Sequence, residues 1–149
     1  MDPTVFVDTN VILYAFDLRD TDKQARSRAW LRACWLRRCG RVSSQVMHEF
    51  YANARGRFAK SVPADQARAE VRRYQQWKPW SVDHATVETA WALEHRYGIS
   101  YWDALMVAAA LHMGCRWLLT EDLQHGQWLD HVQVINPFVT GPEVLDGPA

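Results

Sequence analysis

Two short runs of consecutive apolar residues place the strongest constraint on the fold of this chain. They lie at about residues 4–7 and 116–119, and each contains three large apolar side chains in a row. A strand with one solvent-facing side alternates apolar and polar residues, whereas a continuous apolar run is typical of a strand buried on both faces. The segments between these runs read as helices. Strands that alternate with helices predict an α/β fold, a three-layer α/β/α sandwich around a mainly parallel sheet.

Capping residues and apolar periodicity set the boundaries of the predicted elements. Ser43 or Ser44 is a suitable N-cap, Pro63 suits a first helical turn, and Gly98 is a typical C-cap. We predict strands at about 4–7, 41–43, 116–119 and 132–135. We predict helices at about 10–16, 22–38, 44–58, 63–77, 83–98 and 100–114, followed by an irregular tail from Pro137.

Length and composition predict one domain that spans residues 1–149, with its core at about 4–138. The chain has 149 residues, of which 48% are hydrophobic. No apolar run approaches the roughly 20 residues of a membrane-spanning helix, and the first residues lack the features of a signal peptide. The three cysteines show no zinc-ligand spacing and are expected to be reduced thiols. These features predict a cytoplasmic protein.

The net charge is zero, but the charged residues are segregated along the chain. Residues 22–41 carry seven basic residues and one acid, and residues 51–80 carry seven basic residues and two acids. Residues 81–149 carry two basic residues and nine acids. Basic helices beside an acidic pocket suit a protein that binds a phosphate backbone, but two solvated helix faces would give the same pattern. The neighbouring Trp77 and Trp80 are candidates for stacking on bases.

Four acids stand beside apolar runs, where a core segment would not accommodate an unpaired charge. Asp8 and Asp122 follow two of the predicted strands, Asp103 opens an apolar helix, and Glu49 lies on the helix at 44–58. In open parallel sheets, ligands bind outside the carboxyl ends of the strands, and both strand-end acids fall there. Several carboxylates that converge on one spot usually surround a divalent cation. The pattern therefore indicates metal-dependent chemistry.

Asp8 and Asp103 also have ordinary structural explanations. Asp8, Thr9 and Asn10 are all residue types that favour helix starts, although one cap needs only one of them. Asp103 fits a capping box with Ser100 and also favours the helix dipole. Its helix is apolar nearly all round, so the helix should be buried and the acid buried with it. For Asp103 this burial favours a functional role over capping alone.

The other acids are less distinctive by themselves. Glu49 lies at the border of an apolar helix face, where most glutamates are simply exposed. In the sequence Thr120-Glu121-Asp122, either acid could face the site. The nearby His125 is typical of a surface loop, although it could also contact a phosphate.

These residues belong to a set of motifs that resembles a PIN domain, and specifically the VapC-type toxins of prokaryotic toxin–antitoxin pairs. The resemblance runs from about residue 5 to residue 138. Each motif is short, but their order, spacing and placement together are specific. The segments that carry it are Val7-Asp8-Thr9-Asn10-Val11-Ile12-Leu13-Tyr14-Ala15, Ser43-Ser44-Gln45-Val46 leading to Glu49-Phe50, Tyr101-Trp102-Asp103-Ala104-Leu105, Leu118-Leu119-Thr120-Glu121-Asp122-Leu123-Gln124-His125-Gly126 and Val134-Ile135-Asn136-Pro137-Phe138.

The resemblance implies an endoribonuclease that depends on Mg²⁺ or Mn²⁺, hydrolyses RNA phosphodiester bonds, forms a homodimer and is neutralised by a cognate antitoxin. Asp8 and Asp103 are the first-choice metal ligands, and repulsion among the acids predicts raised carboxylate pKa values. The catalytic and metal-binding acids that it implies are Asp8, Glu49, Asp103 and Asp122. The supporting residues are Thr9, Asn10 and Thr120, with Glu121 as the alternative to Asp122.

Two other functions stay open. A phosphatase that acts on small phosphoesters through an aspartyl-phosphate would use Asp8. Such enzymes generally have a second aspartate two residues further on, where this chain has Asn10. A non-catalytic interaction module with the same fold is the other alternative, but a decayed site would more readily have lost one of the four acids.

Overall fold

The computed structural model describes residues 3–147, so the end of the predicted tail, residues 148–149, lies outside the described residues. Its centre is a five-stranded sheet in the order β2-β1-β3-β5-β4. Every neighbouring pair of strands is parallel except β4 and β5, which are antiparallel. This confirms the predicted α/β class with a mainly parallel sheet. The strands are β1 (Val5–Val7), β2 (Gly40–Arg41), β3 (Trp117–Leu119), β4 (Trp128–Leu129) and β5 (Val132–Ile135).

Within residues 3–147, six α-helices pack around the sheet, and side-chain caps fix the starts of four of them. Asp20, Ser43, Asp83 and Ser100 each accept a hydrogen bond from a backbone N–H of the following first turn. Gly98 ends its helix in the left-handed conformation, with φ of 66°. The helices are α1 (Thr9–Tyr14), α2 (Thr21–Arg37), α3 (Ser44–Arg55), α4 (Ala64–Tyr74), α5 (His84–Tyr97) and α6 (Tyr101–His112).

Several predicted boundaries were wrong. The helix predicted at 63–77 changes at Tyr74 into a 3-10 turn over Gln75–Trp77. The strand predicted at 41–43 covers Gly40–Arg41, while Ser43 forms only an isolated bridge. The short β4 was missed, and the tail predicted to be irregular contains a 3-10 helix at Pro142–Asp146.

Trp77 packs into the core instead of presenting its ring to solvent. A Cβ atom at Gly40 would lie 2.3 Å from the Trp77 ring, so the first residue of β2 must be glycine. The ring also packs against Trp35 and Tyr74, each at a centroid distance of 4.8 Å. The prediction that Trp77 is available for stacking on bases is therefore wrong, and one face of Trp80 is covered by the ring of His112.

The pairing of β1 with β3 positions the acidic residues. Val7 and Leu119 are register partners at the carboxyl ends of these adjacent parallel strands. The backbone N–H of Asp8 donates to the carbonyl of Leu119 at 3.1 Å, so the chain segments that follow the two strands leave the sheet side by side. Helix α6, buried continuously from Ala104 to Ala110, packs on α5 and contacts β3. Within residues 3–147, no helix is both long enough and apolar enough to cross a membrane.

Candidate active site

A small pocket at the carboxyl ends of β1 and β3 brings the predicted acids together. Its volume is about 100 Å³, and residues from four separate segments of the chain line it. All four predicted acids are among them, whereas Thr120 and Glu121 are not. The lining residues are Asp8, Thr9, Asn10, Gln45, Glu49, Asn53, Trp102, Asp103, Met106 and Asp122.

Asp8 is the buried member of this group, with 3% of its surface exposed. Thr120 Oγ1 donates to its Oδ2 at 2.7 Å, and the backbone N–H of Asp122 donates to Thr120 Oγ1 at 3.1 Å. Although Asp8 occupies the N-cap position of α1, its side chain makes no capping hydrogen bond. The carboxylate therefore does not cap the helix.

Burial raises the pKa of Asp8 from 3.8 to about 7. The hydrogen bond from Thr120 opposes this rise, and the negative charges of Asp122 and Glu49 add to it. Among residues 3–147, no lysine or arginine donates a hydrogen bond to this carboxylate. A buried carboxyl group surrounded by acids binds a proton at neutral pH unless a cation reaches it.

Glu49 belongs to the site because α3 packs against α1. Thr9 Oγ1 on α1 donates to Glu49 Oε1 at 3.1 Å, and Glu49 is half-buried. Burial raises its pKa, the hydrogen bonds from Thr9 and Gln45 oppose the rise, and the charges of Asp103 and Asp122 add to it. The sequence interpretation that Glu49 is simply exposed does not describe its position.

Asp103 lies in the first turn of α6, where its backbone N–H donates to Ser100 Oγ at 3.2 Å. The predicted burial of Asp103 was wrong, because the residue is half-exposed. Continuous burial of α6 begins one residue later, at Ala104, and Asp103 lines the pocket.

Glu121 and Asp122 are neighbours in the chain, but their side chains lie in different surroundings. Glu121 accepts from Tyr14 Oη at 2.6 Å and pairs with Lys23 Nζ at 2.8 Å, away from the residues that line the pocket. Asp122 is exposed overall, yet partial burial of its carboxyl group and the charge of Asp103 raise its pKa. The geometry thus brings Asp122 to the other acids and gives Glu121 a structural ion pair.

The other predicted polar residues also differ in whether they act at the pocket. Asn10 lines the pocket, Thr9 fixes Glu49, and Thr120 fixes Asp8. His125 lies outside the pocket lining and accepts a hydrogen bond at Nδ1 from the backbone N–H of Asn136. It therefore acts as a structural residue of the loop.

Four lining residues were missed at the sequence level: Gln45, Asn53, Trp102 and Met106. Gln45 and Asn53 lie four residues before and after Glu49, a spacing that places all three on one face of α3. Asn53 Nδ2 also donates to the carbonyl of Glu49 at 2.8 Å. Trp102 precedes Asp103 directly. Helical periodicity counted outward from each acid would have found the two amides.

The donor set of the pocket fits a hard divalent cation. All of its polar side chains carry oxygen atoms, which Mg²⁺ and Mn²⁺ prefer. Gln45 Oε1 is a buried oxygen without a hydrogen-bond partner in the described part of the chain. No three acidic, histidine or cysteine side chains in that part are arranged to hold one ion together. A bound ion would thus keep several water ligands, as Mg²⁺ ordinarily does when one or two carboxylates bind it.

Comparison with known proteins yields one family and several solved structures. Residues 5–127 match the family model described as PIN domain, whereas a search of curated proteins finds no significant match. A toxin–antitoxin complex from Klebsiella pneumoniae is similar in structure, with a TM-score of 0.64 and 16% sequence identity over 90% of this chain and 98% of that chain.

Two further structures share the fold. The Mycobacterium tuberculosis toxin VapC20, described as cleaving the sarcin–ricin loop, has a TM-score of 0.57 and 17% identity, over 80% of this chain and 92% of that chain. VapBC2 from Rickettsia felis, bound to a DNA fragment from its promoter, has a TM-score of 0.56 and 14% identity, over 88% and 96% of the two chains. At these identities the likeness is one of fold.

Proposed function

This chain belongs to the PIN domain family, and from that premise we propose that it is a metal-dependent endoribonuclease. The observation that carries the proposal is the convergence of four acids, from four separate segments, on one pocket. The pocket includes the buried Asp8, whose side chain is held by a hydroxyl group rather than by a cationic side chain. Mg²⁺ or Mn²⁺ is the proposed cofactor, because the donor atoms are oxygens.

Asp8 and Asp103 are the proposed ligands, directly or through water, with Glu49 and Asp122 as further oxygen donors. When bound, a divalent cation stabilises the negative charge that develops on a phosphoryl oxygen during hydrolysis. Repulsion among the acids contributes to the raised pKa values of Asp8, Glu49 and Asp122. A divalent cation bound among the acids would lower that repulsion, which supports a cation as the cofactor.

Asp8 and Glu49 differ in burial and in hydrogen-bond partners, and we assign them different roles. Asp8 is buried and fixed by Thr120, which suits a ligand whose position must not vary. Glu49 is half-buried, and Thr9 holds one of its carboxylate oxygens. Burial raises its pKa above the usual range of a glutamate, so we assign Glu49 the task of accepting a proton from the attacking water.

The proposed biological role is that of the toxin in a type II toxin–antitoxin pair, acting on RNA as a homodimer and neutralised by a cognate antitoxin. Support comes from the fold shared with the Klebsiella and Rickettsia proteins and with the RNA-cleaving mycobacterial toxin. The cytoplasm is the proposed compartment, since the three cysteines are free and buried.

Cleavage of single-stranded RNA by the purified protein tests this proposal. Activity should require Mg²⁺ or Mn²⁺, stop with EDTA, and fall by about 100-fold in Asp103→Asn, the upper range for a change that weakens a metal site. Glu88→Gln is the matched control, because Glu88 is an exposed acid on α5 outside the pocket. It should cleave RNA at the wild-type rate.

Two outcomes would contradict the proposal. Turnover of a small phosphoester such as para-nitrophenyl phosphate without RNA cleavage would identify a phosphatase. Equal RNA cleavage by wild type and folded Asp103→Asn would show that the pocket is not the catalytic site.

A further inference from the structure

The indole of Trp102 is an exposed aromatic ring beside the acidic pocket. It is 62% exposed, although most large apolar side chains of the described residues are buried. Trp102 lines the pocket together with the four acids and precedes Asp103 directly in the first turn of α6. An exposed tryptophan carries a large apolar surface into water, and at a site of this kind its position needs an explanation.

The backbone that carries this ring is held in place. Gln45 Nε2 on α3 donates to the carbonyl of Trp102 at 3.2 Å. The ring of Tyr101 packs against the indole edge to face, with centroids 5.3 Å apart. Because a tryptophan side chain has only two rotatable bonds, the indole loses little conformational freedom when a ligand covers it.

The negative charge of the pocket lining favours contacts with an RNA substrate that do not depend on charge. Its lining residues include four acids and, within residues 3–147, neither lysine nor arginine. The acidic side chains therefore repel an approaching phosphate group, and no lining residue offers it a positively charged side chain. The proposed cation would offset part of this repulsion, and contacts that do not depend on charge would add to the affinity for a nucleic acid. Stacking of a base on an aromatic ring is such a contact, and it requires an unpaired base.

We propose that Trp102 is a stacking platform that binds one unpaired nucleobase of an RNA substrate next to the phosphate on which the acids act. This inference rests on the proposed ribonuclease function and adds to it a residue that binds the base next to the cleaved phosphate. Bases inside a duplex are covered on both faces, so they cannot reach the indole. The ring thus contributes to substrate selection as well as to affinity.

Binding measurements in a variant that does not cleave RNA test the inference separately from the enzymatic function. The affinity of Asp8→Asn for a fluorescent single-stranded oligoribonucleotide of mixed sequence is measured by anisotropy in Mg²⁺ buffer. Adding Trp102→Leu should weaken binding by about 5- to 100-fold, the range expected for the loss of one base–aromatic stack. Trp102→Phe should restore part of the affinity, because phenylalanine keeps an aromatic face of smaller area.

Trp128→Leu is the matched control. Trp128 is 54% exposed, similar to Trp102, but it lies on β4 and does not line the pocket. Its substitution in the same background should leave RNA affinity unchanged. A duplex of the same sequence should bind Trp102→Leu and its parent equally.

The salt dependence of binding separates stacking from a disturbed backbone or a lost phosphate contact. Phosphate contacts set the slope of log affinity against log salt concentration. Trp102→Leu should therefore lower affinity at every salt concentration and leave the slope unchanged. In the cleaving protein, the same substitution should raise KM by a similar factor and change kcat little.

The outcomes for the inference and for the enzymatic function are distinguishable. Unchanged affinity of Trp102→Leu for the oligoribonucleotide would overturn the stacking role, whether or not wild type cleaves RNA. A fall in affinity equal to that of Trp128→Leu would overturn it as well. Loss of RNA affinity in Trp102→Leu, with no cleavage by wild type, would support the platform and contradict the ribonuclease function.

Discussion

Two buried aspartates at opposite ends of α1 differ in what surrounds them. Asp8 precedes the helix, Asp17 follows it, and each is 3% exposed. Asp17 Oδ1 accepts from the backbone N–H of Arg19 at 2.9 Å and from Arg19 Nε at 3.0 Å. Asp8 instead accepts from the hydroxyl of Thr120 and has Asp122 and Glu49 as charged neighbours.

The pKa values of the two carboxyl groups move in opposite directions. Burial alone would raise the pKa of Asp17, but the hydrogen bonds and charge of Arg19 lower it. Burial of the carboxyl group raises the pKa of Asp8 to about 7, and the charges of Asp122 and Glu49 add to the rise. The two carboxyl groups therefore differ both in how strongly burial acts on them and in whether a cationic side chain is paired with them. Asp17 is paired with a cationic side chain of its own chain, whereas Asp8 has no lysine or arginine partner within residues 3–147.

The largest expected difference between the two aspartates is in catalysis. Asp8→Asn keeps the shape of the side chain but removes the charge from the pocket, so RNA cleavage should fall by about 100-fold or more. Asp17→Asn should retain nearly the full rate per folded molecule, since Asp17 does not line the pocket. Initial rates, scaled by the folded fraction from circular dichroism, measure this. Equal losses of the RNA cleavage rate in Asp8→Asn and Asp17→Asn would show that the two aspartates do not differ in catalysis.

The next largest effect is on stability in the metal-free protein. Between pH 3.8 and about 7, folded Asp8 holds a proton that the unfolded chain has released. Its stabilising contribution is present below pH 3.8 and is lost as the pH rises through about 7. In EDTA, the free energy of unfolding of Asp8→Asn should exceed that of wild type at pH 8 by an amount on the order of a few kcal/mol.

Urea unfolding of wild type and Asp8→Asn between pH 4 and pH 8, in the presence of EDTA, measures this difference. The gap between the two proteins should close as the pH falls. A gap that stays constant over this range would show that the carboxyl group of Asp8 does not titrate as its surroundings indicate.

Asp17 should show a smaller effect of the opposite sign. Its substitution by asparagine removes hydrogen bonds to a charged group, and the free energy of unfolding at pH 7 should fall by about 1.5–3 kcal/mol. Because the folded pKa is lowered below 3.8, this contribution is present above pH 3.8 and is lost as the pH falls through the folded value. Urea unfolding of Asp17→Asn, Arg19→Met and the double variant gives the coupling energy. A coupling energy near zero would show that Arg19 does not stabilise the charge of Asp17.

The smallest expected effect is the stabilisation by added metal. At ten times the Kd, a ligand that binds only the folded state adds about 1.4 kcal/mol to the free energy of unfolding. Mn²⁺ should therefore raise the Tm of wild type and of Asp17→Asn by similar amounts, and raise that of Asp8→Asn less. Thermal unfolding with and without millimolar Mn²⁺ measures the shift. An unchanged Tm of wild type would count against a metal site.

The sheet and most helices could be predicted because their signals are local. Continuous apolar runs identified β1 and β3, and cap residues such as Ser100 located helix starts. The two-residue strand β4 has too few residues to show a period. Trp77 can be buried because Gly40 has no Cβ atom in the space that the ring occupies. This contact joins residues that are distant in the sequence, so no local pattern predicts it.

The residues of the candidate site also differ in whether a local sequence signal predicts their position. Asp8 and Asp122 could be placed because each follows a strand, and the carboxyl ends of parallel strands are adjacent. Glu49 joins them through the packing of α3 on α1 and the hydrogen bond from Thr9, which local sequence could not predict. Glu49 was included among the site residues because the order of the motifs resembles that of a PIN domain. The match to the PIN domain family confirms that resemblance.

The lengths of the outermost strands limit how this protein can associate with other chains. Both edges of the sheet, β2 and β4, are only two residues long. Short edge strands are one means by which proteins avoid edge-to-edge aggregation, because few backbone groups are left to pair with a foreign strand. Strand addition is therefore a poor mode of assembly here. A second copy of this chain, or a protein inhibitor, would have to find its contacts on the helices and loops.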